Sequence, residues 1–145
     1  MDGGPSFPYH QIVDVWKSSD VTNRVVVAVD DDFRVRESIA RLAVSAGLQV
    51  AVFRSAEELL LAGVLARAGC LITDVRMPGM DGLELQRRAR SAHPKLPVIL
   101  ISAHVDEAVR QRSLSEGAFE FLYKPFDGDD LLRAIQKALE QTPES

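Results

Sequence analysis

Five short hydrophobic runs alternate along the chain with segments in which hydrophobic residues recur at helical spacing. Short apolar runs bounded by turn residues are typical of buried strands, and a repeat near 3.6 residues is typical of amphipathic helices. Strands that alternate with helices need right-handed crossovers, which place helices on both faces of a parallel sheet. The pattern therefore predicts an α/β fold, a doubly wound five-stranded parallel sheet with helices on both faces. The predicted strands are residues 24–29, 49–53, 70–74, 98–102 and 119–123.

Polar residues mark where three of the predicted helices begin. Ser55 and Glu58 have the spacing of a capping box, in which the serine accepts from a first-turn amide and the glutamate reaches back. Asp81 is expected to cap the third helix and Asp127 the fifth, because an aspartate can accept from the free amides of a helix start. These caps fix the register of the helices relative to the strands before them.

The helix ends are marked less sharply. Gly47 is expected to end the first helix, because glycine readily adopts the left-handed conformation that terminates helices. The second helix is predicted to run to about Ala66, and the third to fade before Pro94. The fourth is predicted over residues 105–116 and is stopped by Gly117.

Polar side chains suited to chemistry stand where four of the predicted strands end. In parallel sheets ligands lie outside the carboxyl ends of the strands, so these side chains are expected to meet at one edge. Proline and glycine determine the backbone of the turn after the third strand, Met77-Pro78-Gly79, so this turn is expected to have a defined conformation. The side chains are Asp30, Asp31 and Asp32 after the first strand, Asp74 at the end of the third, Ser102 at the end of the fourth and Lys124, followed by Pro125, after the fifth.

Carboxylates gathered at one edge cannot all stay ionised unless a cation lies among them. Carboxylate oxygens suit Mg²⁺, which keeps several waters and leaves room for phosphate oxygens. Lys124 would add a compact positive charge, and the Ser102 hydroxyl could bond to a phosphoryl oxygen. The set fits phosphoryl transfer with Asp74 as the nucleophile, since aspartyl phosphates are known covalent intermediates.

Each of these residues has an ordinary structural interpretation when it is taken alone. The aspartates after the first strand could simply cap the next helix, Ser102 could bond to backbone, and Lys124 could be solvated. What is specific is the conjunction, because it needs a suitable residue type at several strand ends in the right order.

Composition limits the classes of function. The chain has 145 residues, 46% of them hydrophobic, and a formal net charge of −4. This size and composition suit one domain with a core, and the negative charge argues against a nucleic-acid surface. The single cysteine, Cys70, starts an apolar strand, so it is expected in the core and fits a reducing compartment.

The ends of the chain differ from its middle. Residues 1–23 are predicted to be a partly flexible N-terminal extension, residues 24–141 the domain, and residues 142–145 a tail. The N-terminus lacks the pattern of a secretory signal, and no apolar run approaches the length needed to span a membrane. A cytoplasmic location is therefore expected.

Taken together, the motifs resemble the response-regulator receiver domain of bacterial two-component signalling, with the closest likeness to FixJ-type receivers. The resemblance covers about residues 24–141 and implies the CheY-like fold, the (βα)5 flavodoxin-like architecture. The motifs that carry it are residues 29–32 (VDDD), 36–38 (RES), 53–57 (FRSAE), 74–82 (DVRMPGMDG), 100–104 (LISAH) and 121–126 (FLYKPF).

The resemblance implies a role for each site residue. Asp74 matches the phosphoacceptor and Lys124 the lysine that pairs with the phosphoryl group. Ser102 matches the switch hydroxyl and Phe121 the switch aromatic. The ligands of Mg²⁺ would be the carboxylates of Asp30, Asp31 and Asp74 with the backbone carbonyl of Arg76.

The resemblance also implies how the domain signals. A sensor histidine kinase would pass a phosphoryl group from its phosphohistidine to Asp74, and water would remove it slowly, so the chain is not expected to be an enzyme. Phosphorylation would bias a two-state equilibrium reported by the fourth helix, fifth strand and fifth helix. That face is expected to promote weak homodimer formation, and transcription regulation would act through a DNA-binding domain not in this chain.

Two alternatives compete with this prediction. A haloacid-dehalogenase-type phosphatase also uses an aspartate nucleophile, Mg²⁺, a hydroxyl and a lysine, and Asp30 with Asp32 imitates its signature. Arg34 does not fit that signature, however, and Asp74 would have no role. The other alternative is a receiver that acts as a phosphate-independent scaffold, which is disfavoured because every expected site position is filled. His104, next to the pocket, is expected to be an exposed loop residue and not a catalytic histidine.

Overall fold

A computed structural model of the protein describes residues 24–141. It contains a five-stranded, all-parallel sheet with the strand order β2-β1-β3-β4-β5; four α-helices lie in the connections between strands, and a fifth follows β5. The predicted doubly wound fold is confirmed. The strands are β1 (Val25–Val29), β2 (Gln49–Phe53), β3 (Ala68–Asp74), β4 (Val98–Ser102) and β5 (Glu120–Tyr123). The helices are α1 (Phe33–Ser45), α2 (Ala56–Ala62), α3 (Gly82–Ala92), α4 (Glu107–Ser115) and α5 (Gly128–Gln141).

The hydrophobic core lies in two layers, one on each face of the sheet. Side chains alternate along a strand, so Val25, Val27 and Val29 face one layer while Val26 and Ala28 face the other. The first layer is covered by residues of α2 and α3, and the second by residues of α1 and α5. Every residue of β1 is buried, which explains why the central strands read as continuous apolar runs.

The predicted caps are confirmed. Ser55 Oγ accepts from the Glu58 amide at 3.0 Å, and Glu58 reaches back as predicted, but its Oε1 accepts from the Arg54 amide, one residue before the cap, at 2.9 Å. Asp81 Oδ1 accepts from the Glu84 amide at 2.9 Å, and Asp127 Oδ1 accepts from the Asp129 amide at 2.8 Å at the start of α5. Gly47, just beyond the end of α1, has a φ of 78°.

Three predicted boundaries were wrong by two residues or more. Helix α2 ends at Ala62 and not near Ala66, because Gly63 adopts a left-handed conformation and a 3₁₀ turn, Val64–Arg67, follows. Helix α4 begins at Glu107 and not at Val105, because Asp106 Oδ1 accepts from the Val109 amide and starts the helix there. Strand β3 begins at Ala68, two residues before Cys70, because the pairing with β1 extends past the apolar run.

Some predictions fall outside the described residues. The extension at residues 1–23 and the tail at residues 142–145 are among them. Within residues 24–141, Cys70 is buried as a free thiol, as predicted. No helix of that part of the chain is long and apolar enough to cross a membrane.

Candidate functional site

The sheet topology brings the predicted site residues to one edge. Strands β1 and β3 are neighbours, and Val29 is paired with Thr73, so Asp30 and Asp74 follow at the same level. On the other side, Asp74 of β3 is paired with Ile101 of β4. The carboxyl ends of the central strands therefore hold two carboxylates side by side, as the sequence predicted.

Lys124 reaches both of these carboxylates from the end of β5. Its Nζ lies 2.8 Å from Asp30 Oδ2 and 3.4 Å from Asp74 Oδ1. The backbone supports this position, since the Lys124 amide donates to the Ser102 carbonyl at 2.8 Å. The ammonium group is thus fixed between the two buried aspartates.

Asp31 completes a group of three carboxylates that could hold a metal ion. One oxygen from each of Asp30, Asp31 and Asp74 lies within 4.8 Å of the others. Asp30 and Asp74 are buried, whereas Asp31 is exposed, so the group opens to solvent on one side. Asp30 Oδ2 is already paired with the Lys124 ammonium at 2.8 Å, so the charge of the three carboxylates is only partly balanced within the group. Three carboxylates at this spacing are the kind of ligand set that a divalent cation such as Mg²⁺ prefers.

The electrostatics of the pocket follow from burial and charge. Burial, reinforced by the neighbouring Asp30 carboxylate, raises the pKa of Asp74 to about 6, although Lys124 acts in the opposite direction. Burial alone would lower the pKa of Lys124, but its contacts with Asp30 and Asp74 outweigh that effect and raise it. Lys124 is therefore charged at neutral pH. Asp74 is largely ionised at that pH, but its ionised form lowers the stability of the folded state.

The three consecutive aspartates after β1 have different surroundings. Asp30 Oδ1 accepts from the Asp32 amide at 2.9 Å, and Arg36 Nη1 donates to the Asp30 carbonyl at 2.8 Å. Asp32 is the N-cap of α1, and its Oδ1 accepts from the Arg34 amide, which lowers the pKa of this carboxyl. Asp32 thus acts as a helix cap, whereas the side chains of Asp30 and Asp31 belong to the group of three carboxylates.

The turn after Asp74 is built closely against the end of β3. The Gly82 amide donates to the Val75 carbonyl at 2.8 Å, and a Cβ at Gly82 would collide with the carbonyl of Asp74. Gly79 has a φ of 78°, which favours glycine. Met77 is buried in the core layer. The conformation of this turn is therefore specified at several points along it.

Ser102 lies at the carboxyl end of β4, but its hydroxyl is engaged with the following loop. Ser102 Oγ donates to the His104 carbonyl and accepts from the His104 amide, both at 3.1 Å. The His104 side chain is exposed, as predicted. Phe121 is buried on the α2 and α3 face, and its ring meets that of Tyr123 edge to face with centroids 5.3 Å apart.

Sequence reasoning missed Asp106 as a neighbour of the site. Arg76 Nη2 lies 3.8 Å from Asp106 Oδ2, so a side chain of the turn after Asp74 pairs with the residue that caps α4. An aspartate followed by Glu107 could have indicated the helix start, because acidic residues are favoured there. The role of the Arg76 carbonyl as a metal ligand stays a prediction.

The comparisons with known proteins agree with this geometry. The sequence profile of the family described as "Response regulator receiver domain" matches residues 26–136, most of the chain. The chain belongs to the response regulator receiver family. A receiver is a phosphoacceptor signalling domain and not an enzyme, so the match decides against the phosphatase alternative, and it implies a sensor kinase as partner.

Two curated relatives are similar to this receiver over most of its length. The response regulator protein TmoT of Ectopseudomonas mendocina is 44% identical over 121 residues, which are 83% of this chain and 54% of TmoT. The DNA-binding transcriptional regulator NtrC of Salmonella typhimurium is 38% identical over 115 residues, 79% of this chain and 24% of NtrC. The chain therefore spans about half the length of TmoT and about a quarter of NtrC.

Solved structures give the same result for the fold. The response regulator StyR is similar with a TM-score of 0.75 and 41% identity, over 81% of this chain and 60% of StyR. The sheet order, the family match and this likeness identify the pocket at residues 30, 31 and 74 as the acidic pocket of a receiver.

Proposed function

We propose that this receiver accepts a phosphoryl group on Asp74 from the phosphohistidine of a sensor histidine kinase. The observation that supports this most strongly is the buried Asp74 carboxylate with Lys124 Nζ 3.4 Å away and the carboxylates of Asp30 and Asp31 beside it. A carboxylate oxygen of Asp74 forms the new P–O bond as the P–N bond of the phosphohistidine breaks, and the bonding electron pair returns to the imidazole nitrogen.

The residues around Asp74 are suited to this step. With a pKa of about 6, Asp74 is mostly ionised at pH 7.5 and so has its oxygen available for attack. The Lys124 ammonium pairs with the charge that arrives on the phosphoryl oxygens. Asp30, Asp31 and Asp74, with the Arg76 carbonyl, would hold Mg²⁺, which when bound would offset the negative charge of the carboxylates and the phosphoryl group.

We propose that the response passes through Ser102 and Phe121. The Ser102 hydroxyl leaves its bonds with the His104 backbone and bonds to a phosphoryl oxygen, and Phe121 adjusts with it. The surface formed by α4, β5 and α5 then changes and promotes weak self-association, as the resemblance to FixJ-type receivers implies. An unchanged monomer mass in solution after phosphorylation would contradict this part.

The setting of the domain is also a proposal. Residues 24–141 would form the receiver unit, in the cytoplasm, and the full protein would regulate transcription through a DNA-binding region outside these residues. The support is that the relatives it matches are longer and that one of them is named a DNA-binding transcriptional regulator.

The direct test is the intact mass of the protein after incubation with Mg²⁺ and acetyl phosphate. We expect one added phosphoryl group on the wild type, none on Asp74→Asn, and none on the wild type in the presence of a chelator. Asp127→Asn is a matched control, because it removes a carboxylate at the start of α5 and should be phosphorylated normally.

A modified Asp74→Asn, or an adduct that forms equally well without Mg²⁺, would contradict the proposal. If the wild type takes up no phosphoryl group, binding of beryllofluoride distinguishes two cases. Binding indicates an intact pocket that requires its kinase, whereas failure to bind favours the phosphate-independent scaffold.

A further inference from the structure

Glu57 makes a long-range contact with the turn that follows Asp74. It lies in the first turn of α2, and its Oε2 accepts a hydrogen bond from the Met80 amide at 2.9 Å. The two residues are 23 positions apart in the chain and belong to different connections of the sheet. Glu57 lies in the motif at residues 53–57, and neither the capping of α2 nor the chemistry at Asp74 uses its side chain.

The two glutamates at the start of α2 have separate tasks. Glu58 serves the start of α2, because its Oε1 accepts from the Arg54 amide, one residue before the N-cap Ser55, at 2.9 Å. Glu57 instead points its carboxylate at the backbone of the neighbouring turn. The local requirement of the helix is therefore met by Glu58, and the position of Glu57 has to be explained by what it contacts.

The turn is shaped to receive this carboxylate. A Cβ at Gly79 would lie 2.8 Å from Glu57 Oε2, so a side chain there would press on the carboxylate. The Met80 amide also holds the pKa of Glu57 below its ordinary value, so this side chain is an anion at neutral pH. Gly79 and Glu57 are matched, since the absence of a side chain at one leaves room for the carboxylate of the other.

The same turn carries Arg76, whose carbonyl is proposed as a ligand of the metal together with the three aspartates. At its base the turn is closed by the hydrogen bond from the Gly82 amide to the Val75 carbonyl. Glu57 holds its far side at Met80. Two fixed points on a short segment restrict the backbone between them, and this restriction lowers the entropy lost when a carbonyl binds a metal.

We propose that Glu57 is a positioning residue of the phosphorylation site, which holds the turn at residues 75–82 so that the Arg76 carbonyl faces the metal. This inference rests on the proposed function, because it assumes that Asp30, Asp31, Asp74 and the Arg76 carbonyl would hold Mg²⁺. Glu57 itself touches neither the metal nor the phosphoryl group. Its effect is on the conformation of the turn.

The experiment uses three variants of the full chain. Glu57→Ala removes the acceptor, and Glu57→Gln removes the charge but keeps an oxygen that can accept from Met80. Glu58→Ala is the matched control, because it removes the same charge one residue away without touching the turn. Three quantities are measured, namely the exchange rate of the Met80 amide proton without metal, the Kd for Mg²⁺ by calorimetry, and Tm.

In Glu57→Ala we expect Met80 exchange to become about fivefold faster and the Kd for Mg²⁺ to rise by about the same factor, as for loss of one exposed hydrogen bond. Glu57→Gln should restore most of both quantities, and Glu58→Ala should leave both unchanged even if it lowers Tm. A merely structural role would instead make both quantities follow Tm across the three variants.

Each contrary result would contradict a different step of the proposal. Equal Met80 exchange in wild type and Glu57→Ala would show that the contact does not restrain the turn. Faster exchange with an unchanged Kd would show that the restraint does not serve the metal site. A wild type that binds no Mg²⁺ would refute the proposed metal site itself, and the exchange rate would still decide whether Glu57 restrains the turn.

Discussion

The two sides of the acidic pocket are built differently. On one side, which we name the acceptor side (residues 68–92), Asp74 ends a buried strand, and α3 buries Gly82, Leu83, Leu85, Gln86 and Ala89. On the other, the response side (residues 98–123), β4 is buried, but α4 buries Ser113 alone. Val105, in the loop before α4, is 86% exposed. The Asp74 carboxylate is thus positioned by buried elements, whereas the neighbouring helix α4 buries little of its surface.

Helix α4 is held by polar contacts with α3 as well as by the partly buried Val109, which packs against the core. Gln86 Nε2 of α3 donates to the Ser113 carbonyl at 3.0 Å, and Arg87 Nε lies 3.3 Å from Glu116 Oε1. Apolar burial contributes about 25 cal/mol per Å², so a helix that buries little can shift at low cost. This difference shows how one domain can hold the acceptor side fixed while helix α4, on the response side, remains free to move.

Of the substitutions proposed, Gly82→Ala is expected to destabilise the acceptor side most. A Cβ there collides with the Asp74 carbonyl, so either α3 or the end of β3 must move. We expect the free energy of unfolding to fall by about 2 to 3 kcal/mol in denaturant titrations. Gly128→Ala is the control, because its Cβ would meet Leu42 at an ordinary 3.6 Å, and a change below about 1 kcal/mol is expected. Equal losses in the two variants would contradict the close fit at Gly82.

The next effect concerns the cost of keeping Asp74 ionised. Its pKa is raised from 3.8 to about 6, so the folded state holds the proton more tightly than the unfolded state does. Stability is therefore lost as pH rises from about 4 to about 6. Asp74→Asn removes this loss and should be more stable than wild type by about 1 to 2 kcal/mol at pH 7.5 in a chelator, after allowance for solvent screening. The difference should vanish near pH 4, and a constant difference across this range would exclude the ionisation of Asp74 as its cause.

The smallest effects compare the caps of the two helices. Asp81→Ala and Asp106→Ala remove the same kind of hydrogen bond from α3 and α4, at a cost of about 1 kcal/mol each. We expect the loss in Asp81→Ala to appear in global unfolding, because α3 is part of the packed core. In Asp106→Ala it should appear mainly as faster amide exchange within α4. The reverse pattern would show that α4 is the better packed helix.

Most of the site could be predicted because its residues stand directly after apolar runs. Once the strands were recognised, parallel pairing placed Asp30 and Asp74 side by side, and Lys124 could be placed at the end of β5. The fold class followed for the same reason, since hydrophobic periodicity is a local signal.

The remainder depended on contacts between distant residues or on single backbone conformations. The end of α2 is set by the left-handed conformation of Gly63, inside a segment whose apolar residues continue to Leu65. The hydrogen bond from Met80 to Glu57 and the ion pair of Arg76 with Asp106 join different connections, and no spacing in the sequence indicates them. That Lys124 lies nearer to Asp30 than to Asp74 likewise depends on side-chain geometry.

The measurement that tests the account most directly is amide hydrogen exchange of the protein with and without beryllofluoride in the presence of Mg²⁺. Beryllofluoride imitates a phosphoryl group on an aspartate, and Asp74→Asn serves as the control that should show no change. We predict that exchange changes several-fold across α4, Glu107–Ser115, while α3, Gly82–Ala92, keeps its rates. Equal changes in both helices, or a change in α3 alone, would contradict a fixed acceptor side beside a mobile response side.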